Sequence, residues 1–300
     1  MHVIMYHYVR NDSKEFPNFN HLRVDDFRRQ LNFFDKKYGF ITKEQFCESL
    51  ETGNAPKGVL LTFDDGFKDH YENVYPILKK RGIFAFFYVP TGHYRTNEKK
   101  LLGVHRVHYL KGKYDSKNLL AEAMQNIDST MLDSGKIKEF DMEIYQGQKN
   151  SNSEYKLKRL FNYFLKYEYC NDVLDELMKK YFEEGELYDK LYLTDKEMKE
   201  LHMDNFVVGS HTKNHMVLSR LNYNEQEKEI VDSFDYLEQA LGKLEIKSFC
   251  YPYGGKNTFN DDTIKILKKN KVHHAFMVGN SPVLQIENRF CITRVDCNRF

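Results

Sequence analysis

Two adjacent carboxylates follow a short apolar run. The run at residues 60–63 leads directly into Asp64 and Asp65, and Gly66 turns the chain immediately afterwards. In barrels of parallel strands, the active site lies at the carboxyl ends of the strands. Because adjacent side chains at a strand end can diverge, one carboxylate could bind a cation while its neighbour faces a substrate. The simpler alternative is a solvated Asp-Gly turn.

Two histidines, His211 and His215, follow a second apolar run at residues 206–209. On one helical turn, or in a tight loop, a spacing of four lets both imidazoles bind the same ion. One carboxylate from the first segment and these two imidazoles would leave positions open for water and substrate, as catalytic metal sites do. The alternative is a pair of ordinary surface histidines.

A third segment joins an apolar run to a turn. Residues 249–251 lead into Pro252, Tyr253, Gly254 and Gly255. Proline fixes the backbone and the two glycines permit close approach, so a backbone N–H here could face a developing oxyanion. Taken alone, the segment is only a turn.

Seven apolar runs are typical of buried strands, and the three segments described above would lie at the ends of three of them. They span residues 2–6, 58–63, 83–89, 206–209, 247–251, 274–278 and 291–295. Helical spacing is found between most of them, for example at residues 25–38 and 224–241, and Thr42 and Thr194 begin capping-box patterns. Strands that alternate with helices predict a parallel α/β architecture, and about seven repeats favour a barrel.

The middle of the chain, from about residue 101 to 192, breaks this alternation. It is rich in Lys, Glu, Tyr and Leu, and strand-like runs are absent. Two apolar stripes with helical spacing occur at residues 157–165 and 174–182. We predict a helical insertion between two barrel strands, within a single catalytic domain that spans residues 1–300.

Composition excludes several partners. The 45 basic and 44 acidic residues leave a net charge of +1, so no overall field would recruit nucleic acid or an anionic membrane. No apolar run reaches the length of a membrane span, and the first residues do not resemble a secretory signal. Five scattered cysteines without a CxxC pair suggest reduced thiols. We therefore expect a cytoplasmic protein; the sequence does not predict its oligomeric state.

The order TFDDG, SHTxxH and YPYG resembles the polysaccharide deacetylase family, the NodB-homology domains of carbohydrate esterase family 4. The likeness extends through residues 64–90, 193–211 and 275–278 and leaves out the insertion. The resemblance implies an α/β fold, a distorted (β/α)7 barrel. It also implies hydrolytic removal of an N-acetyl group from an amino sugar.

The resemblance assigns roles by position. Asp64 would be the general base, and Asp65, His211 and His215 would hold one divalent ion, Zn²⁺ or alternatively Co²⁺ or Ni²⁺. Such an ion activates water and polarises the amide carbonyl, while the base takes a proton. Tyr253 would offer its backbone N–H to the oxyanion.

Two features depart from the family pattern. The third segment has no arginine to orient the base, and no histidine follows His274 to act as general acid. His7 resembles the histidine of members that begin with an M-Y-H motif, and it is our candidate for the acid or for support of the metal; the alternative is a structural histidine. Arg294 is our candidate to orient Asp64; the simpler alternative is an ordinary salt bridge, for example with Asp296.

Three functions remain open at this point. The first is an N-deacetylase that acts on an N-acetylated amino sugar in a glycan or in a nucleotide- or lipid-linked precursor. The second is another metal-dependent amidase, acting on a formamide or a non-sugar amide. The third is a catalytically silent glycan-binding protein of the same fold. Release of acetate from N-acetylated sugars separates the first from the other two.

Overall fold

Seven parallel strands close into a barrel in the computed structural model, which describes residues 1–133, 135 and 151–300. The strands are β1 (His2–Tyr6), β2 (Val59–Phe63), β3 (Ala85–Val89), β4 (Val207–Ser210), β5 (Ser248–Cys250), β6 (His274–Val278) and β7 (Ile292–Asp296). Each strand pairs with the next in chain order, and β7 closes on β1 through Ile4 and Val295. The predicted seven-stranded barrel is confirmed, with strand ends shifted by at most two residues.

Successive residues of the strands face opposite sides of the barrel wall. On β2 and β3, Leu60 and Phe86 pack in an inner cluster, whereas Leu61 and Phe87 pack in an outer cluster. Both faces of the sheet are apolar because helices cover the outside and side chains fill the inside. This two-sided burial explains why the strands are continuous apolar runs in the sequence. Polar residues at the strand ends therefore stand out from the apolar strands and indicate a possible functional site.

Helices connect the strands and continue through the middle of the chain. They are α1 (Val24–Lys37), α2 (Lys43–Thr52), α3 (Tyr75–Arg81), α4 (Gly103–Lys113), α5 (Ser116–Gln125), α6 (Asn152–Arg159), α7 (Tyr167–Tyr181), α8 (Glu184–Leu191), α9 (Asp195–Met203), α10 (Tyr223–Leu241) and α11 (Asp261–Lys269). The predicted capping boxes at Thr42 and Thr194 are confirmed. Among the described residues, no helix has both the length and the apolar character that a bilayer crossing requires.

The described residues form two compact units. One comprises Met1–Asn11, His21–Thr96 and Leu191–Phe300 and contains the barrel; the other comprises Asp12–Asn20 and Asn97–Lys190. Helices α4 to α7 belong to the second unit, in agreement with the helical character predicted for this region. Part of the predicted insertion, residue 134 and residues 136–150, lies outside the described residues. Its assignment as an insertion within one domain stays a prediction.

The second unit is held by apolar stripes and by a buried ion pair. The stripe predicted at residues 157–165 does not follow one regular helix, since α6 passes into a π-helical turn, Leu160–Phe164. Arg106 is almost fully buried, and its Nε lies 2.6 Å from Glu184 Oε1. A second carboxylate, that of Asp175, lies 3.0 Å from Nη1 of the same arginine. Because removing one partner of a buried pair is costly, these residues help to fix the unit internally.

Candidate active site

Asp64 and Asp65 follow β2 directly, and their carboxylates face different partners. Asp65 has a left-handed backbone with φ of 77°, and Gly66 continues it with φ of 63°. A left-handed conformation is rare for a residue other than glycine and is typical of functional sites. It turns the chain sharply enough that Asp64 meets an arginine from β7, whereas Asp65 meets two histidines from the loop after β4.

Asp65, His211 and His215 converge at the carboxyl end of the barrel. Asp65 Oδ1 lies 3.6 Å from His211 Nε2 and 3.3 Å from His215 Nε2. All three residues are buried. An ion bound tetrahedrally at about 2.0–2.1 Å separates neighbouring ligand atoms by about 3.3–3.4 Å. One carboxylate and two imidazoles at this spacing therefore fit a single divalent ion.

The hydrogen bonding of His211 leaves the correct nitrogen for a metal. Its Nδ1 lies 2.8 Å from the carbonyl oxygen of Cys250, and a carbonyl can only accept, so Nδ1 carries the proton. Nε2, the atom nearest Asp65, then presents its lone pair. Burial lowers the pKa of His211 to about 4, against the opposing charge of Asp64. The imidazole is therefore neutral near pH 7, which is the form that binds metals.

Asp64 forms a two-point ion pair with Arg294 inside the barrel. Oδ1 accepts from Nη1 at 2.7 Å and Oδ2 accepts from Nη2 at 2.8 Å. Both side chains are at most 2% exposed. Burial alone would raise the pKa of Asp64, but the charge of Arg294 outweighs it and lowers that pKa to about 2. Arg294 thus forms its salt bridge with Asp64 and not with Asp296, and its role in orienting Asp64 as a base stays a prediction.

Cys250 contacts both halves of the site, and no sequence pattern singles it out. Arg294 Nη2 donates to its Sγ at 2.8 Å, and the thiol lies 3.7 Å from Asp64 Oδ1. Its carbonyl oxygen is the acceptor that fixes His211. Cys250 stands in the third segment, where the family pattern carries an arginine. A small side chain there leaves room for the guanidinium that arrives from β7.

His7 lies at the end of β1, on the open side of Asp64. Its Nε2 is 3.8 Å from Asp64 Oδ2, and its side chain is 40% exposed. The backbone carbonyl of His7 accepts a hydrogen bond from Nε2 of the buried His70, at 2.8 Å. His70 begins a π-helical turn, His70–Val74, that the sequence did not predict. The structure thus places His7 beside Asp64, and its role as acid stays a prediction.

Tyr253 follows β5 and lies beside the histidines. Its backbone is left-handed, with φ of 62°, and Gly254 follows with φ of 67°. Its ring meets the ring of His215 edge to face, with centroids 4.9 Å apart. The residue therefore belongs to the same end of the barrel, and the role of its N–H towards an oxyanion stays a prediction.

Comparison with known proteins finds similar sequences that are named as deacetylases. Over 155 residues the chain is 30% identical to YxkH of Bacillus subtilis (strain 168), a protein named as a polysaccharide deacetylase; the match covers 48% of this chain and 52% of that protein. Over 90 residues it is 37% identical to a poly-β-1,6-N-acetyl-D-glucosamine N-deacetylase of Staphylococcus aureus, covering 29% of this chain and 30% of that enzyme. The chain thus matches about half of the first relative's length and less of the second.

A solved structure and a family model complete the comparison. The Streptococcus pyogenes deacetylase PplD, solved in complex with acetate, has the same fold with a TM-score of 0.59 at 21% identity, covering 99% of this chain and 91% of that one. The sequence model of the family described as polysaccharide deacetylase matches residues 52–126 and 169–278, more than half of the chain. This chain belongs to the polysaccharide deacetylase family.

Proposed function

We propose that this chain is a divalent-metal-dependent N-deacetylase that hydrolyses the acetamide of an N-acetylated amino sugar. The observation that carries the proposal is the meeting of Asp65, His211 and His215 within one ligand sphere, next to the Asp64–Arg294 pair. A divalent ion bound there would supply Lewis-acid activation of water and of the acetamide carbonyl. Zn²⁺ suits a carboxylate and two imidazoles, and Co²⁺ or Ni²⁺ are alternatives.

Asp64 supplies the base. Arg294 holds both carboxylate oxygens, so the group is ionised and fixed in one orientation when water attacks. The same pair excludes solvent from one side of the carboxylate because both side chains are buried. A carboxylate that is already oriented loses little freedom in the transition state, which favours proton transfer.

His7 and Tyr253 complete the proposed chemistry on the open side of the site. His7 lies near enough to Asp64 to reach a substrate placed between them, and there it would protonate the leaving amine. Tyr253 would direct its backbone N–H at the oxygen that becomes negative. The left-handed turn at Tyr253 supports this proposal because such turns are typical of functional sites.

The substrate class is inferred from a relative. The Staphylococcus aureus enzyme is named for poly-β-1,6-N-acetyl-D-glucosamine. We propose that this chain acts on N-acetylglucosamine residues, either in a glycan or in a nucleotide- or lipid-linked precursor. A precursor would fit the prediction of a cytoplasmic enzyme, and a finished polymer would fit an enzyme outside the cell.

Acetate release tests the activity. Purified protein should release acetate from at least one member of a panel of β-1,6 and β-1,4 N-acetylglucosamine oligomers and nucleotide-linked N-acetylglucosamine. A chelator should abolish the release, and stoichiometric Zn²⁺ or Co²⁺ should restore it. Turnover of non-sugar amides alone would support the amidase instead. Glycan binding without turnover would support a silent binding protein.

The role of His7 can be separated from metal binding. His7→Ala should lower kcat for acetamide substrates by about 10²–10⁴-fold, the usual contribution of a general acid. The loss should be much smaller with p-nitrophenyl acetate, because its leaving phenolate departs without a proton. Affinity for the ion should not change. Equal losses on amide and ester would contradict the assignment of His7 as the acid.

A further inference from the structure

Residues outside the proposed ligand set hold the loop that carries both histidines. Residues 211–215 (the histidine loop) follow β4, and α10 packs alongside. The buried carboxylate of Glu229, on α10, accepts two hydrogen bonds from Asn214, which directly precedes His215. Oε2 accepts from the backbone N–H at 2.7 Å and Oε1 accepts from Nδ2 at 2.6 Å.

The backbone of the histidine loop is unusual and needs such support. Thr212 and His215 are both left-handed, with φ of 64° and 56°. Residues with a Cβ adopt this conformation only where their surroundings impose it. The backbone N–H of His215 donates to Thr212 Oγ1 at 3.0 Å, which tightens the loop internally. A carboxylate that binds Asn214 at two points fixes the peptide next to His215 from outside.

A second residue of α10 binds the base of the same loop. Ser233 lies four positions after Glu229 and therefore on the same helix face. Its hydroxyl accepts from Ser210 Oγ at 2.8 Å, and Ser210 Oγ in turn accepts from the backbone N–H of Thr212 at 3.2 Å. Glu229 and Ser233 lie on one face of α10 and thus bind the two ends of the histidine loop.

The opposite side of the histidine loop is closed by Gly92. Its N–H donates to the carbonyl oxygen of Lys213 at 2.6 Å. A Cβ atom at this position would lie 2.3 Å from Asn214 Oδ1 and 2.8 Å from the backbone oxygen of Lys213, so a larger residue would displace the loop backbone. Asn214 is therefore confined between Gly92 on one side and Glu229 on the other.

We propose that Glu229 and Asn214 are a positioning pair that sets the affinity of the histidine loop for its divalent ion. The inference rests on the proposed function, because it assumes that His211 and His215 bind that ion. Neither partner is itself a ligand. Their effect is to hold His215 at the distance from Asp65 that one ion requires, before the ion arrives.

The test measures metal affinity directly. Co²⁺ is titrated into metal-free protein against a competing chelator, and the visible absorption of the bound ion reports the ligand geometry. Glu229→Ala should raise the Kd for Co²⁺ by about 10–100-fold, the range for residues that support metal ligands. Asn214→Ala, which keeps the backbone N–H, should raise it less. Glu229→Gln keeps one hydrogen-bond acceptor, so its Kd for Co²⁺ should lie between those of Glu229→Ala and the wild type.

Two control variants lie on the same helix. Asp232 Oδ2 binds Lys213 Nζ of the same loop at 2.8 Å, but this pair is about one-third exposed. Asp232→Asn should change the Kd by no more than about twofold, since exposed pairs contribute little. Ile230→Val removes a methyl group from the core side of α10. It should lower Tm without changing the Kd for Co²⁺.

The outcomes separate the two proposals. Wild-type protein that binds no Co²⁺ would overturn the proposed function and this inference with it. Wild-type protein that binds Co²⁺, with a Kd unchanged in Glu229→Ala and Asn214→Ala, would overturn this inference alone. If Glu229→Ala does not fold, the Kd of Asn214→Ala for Co²⁺ provides the test, because this substitution removes only a side-chain amide. Recovery of kcat at saturating Co²⁺ in the variants would further support a role in binding rather than in chemistry.

Discussion

Asp64→Asn is expected to lower kcat/KM for acetate release by about 10²–10⁴-fold, the contribution of a general base. The amide keeps the shape of the carboxylate but cannot take the proton from water. It also leaves Arg294 charged and buried without its counter-ion, which should cost about 3–5 kcal/mol of the free energy of unfolding. Steady-state kinetics and urea denaturation measure the two effects independently.

A second substitution separates these two effects. In Asp64→Asn/Arg294→Met the buried charge is absent, so much of the lost stability should return while activity stays low. Asp204→Asn is the matched control, because Asp204 pairs with Lys79 on an exposed surface. It should change stability by at most about 1 kcal/mol and leave kcat/KM unaffected. Activity retained in Asp64→Asn would exclude Asp64 as the base.

Arg294→Met is expected to give the second largest loss of kcat/KM. The carboxylate of Asp64 would no longer be held at two points, and misplacement of a catalytic group by about 1 Å can cost 10²-fold in rate. Folding should be destabilised by about 3–5 kcal/mol near pH 7, because Asp64 is left buried and charged. The kcat/KM of Arg294→Lys should lie between those of Arg294→Met and the wild type, since an ammonium keeps the charge but not the two-point geometry.

The stability difference should depend on pH with a defined sign. In the wild type the pKa of Asp64 is about 2, below the ordinary value of about 3.9. The ion pair therefore stabilises the fold above about pH 4, and this contribution is lost as the pH falls towards 2. In Arg294→Met the largest charge that opposes burial is absent, so the pKa of Asp64 should rise and the variant should gain stability on acidification towards pH 4.

Urea denaturation of both proteins between pH 4 and 8 measures this difference. We expect the difference in free energy of unfolding between the wild type and Arg294→Met to be largest at neutral pH and to decrease towards pH 4. The two proteins share all other titrating groups, so the comparison isolates the Asp64–Arg294 pair and the neighbours whose charge acts on Asp64, His7 and His211. A gap that is constant over this range would show that Arg294 does not control the ionisation of Asp64.

Most of the barrel could be predicted from the sequence because its determinants are local. The apolar runs of β1 and β6 have the predicted bounds, and the caps at Thr42 and Thr194 are formed as their spacing indicates. Closure of the barrel followed from the number of repeats. The π-helical turn His70–Val74 was missed, since its residues have the spacing of an ordinary helix start.

The contacts that complete the candidate site could not be predicted from local patterns. Arg294 reaches Asp64 across 230 positions of the chain, and spacing cannot reveal such a contact. Its position became plausible only because the third segment lacks an arginine. No sequence pattern distinguishes Cys250, although its thiol and carbonyl contact both halves of the site. Glu229 was indistinguishable from the solvated acids of an amphipathic helix.

A crystal structure of Zn²⁺-loaded protein, with anomalous data collected at the zinc edge, shows whether Asp65, His211 and His215 bind one metal ion. We predict one strong anomalous peak about 2.0–2.1 Å from Asp65 Oδ1, His211 Nε2 and His215 Nε2. Arg294 should still hold Asp64 beside it. Protein with stoichiometric zinc but no peak at these three atoms, or with its peak elsewhere, would contradict the account.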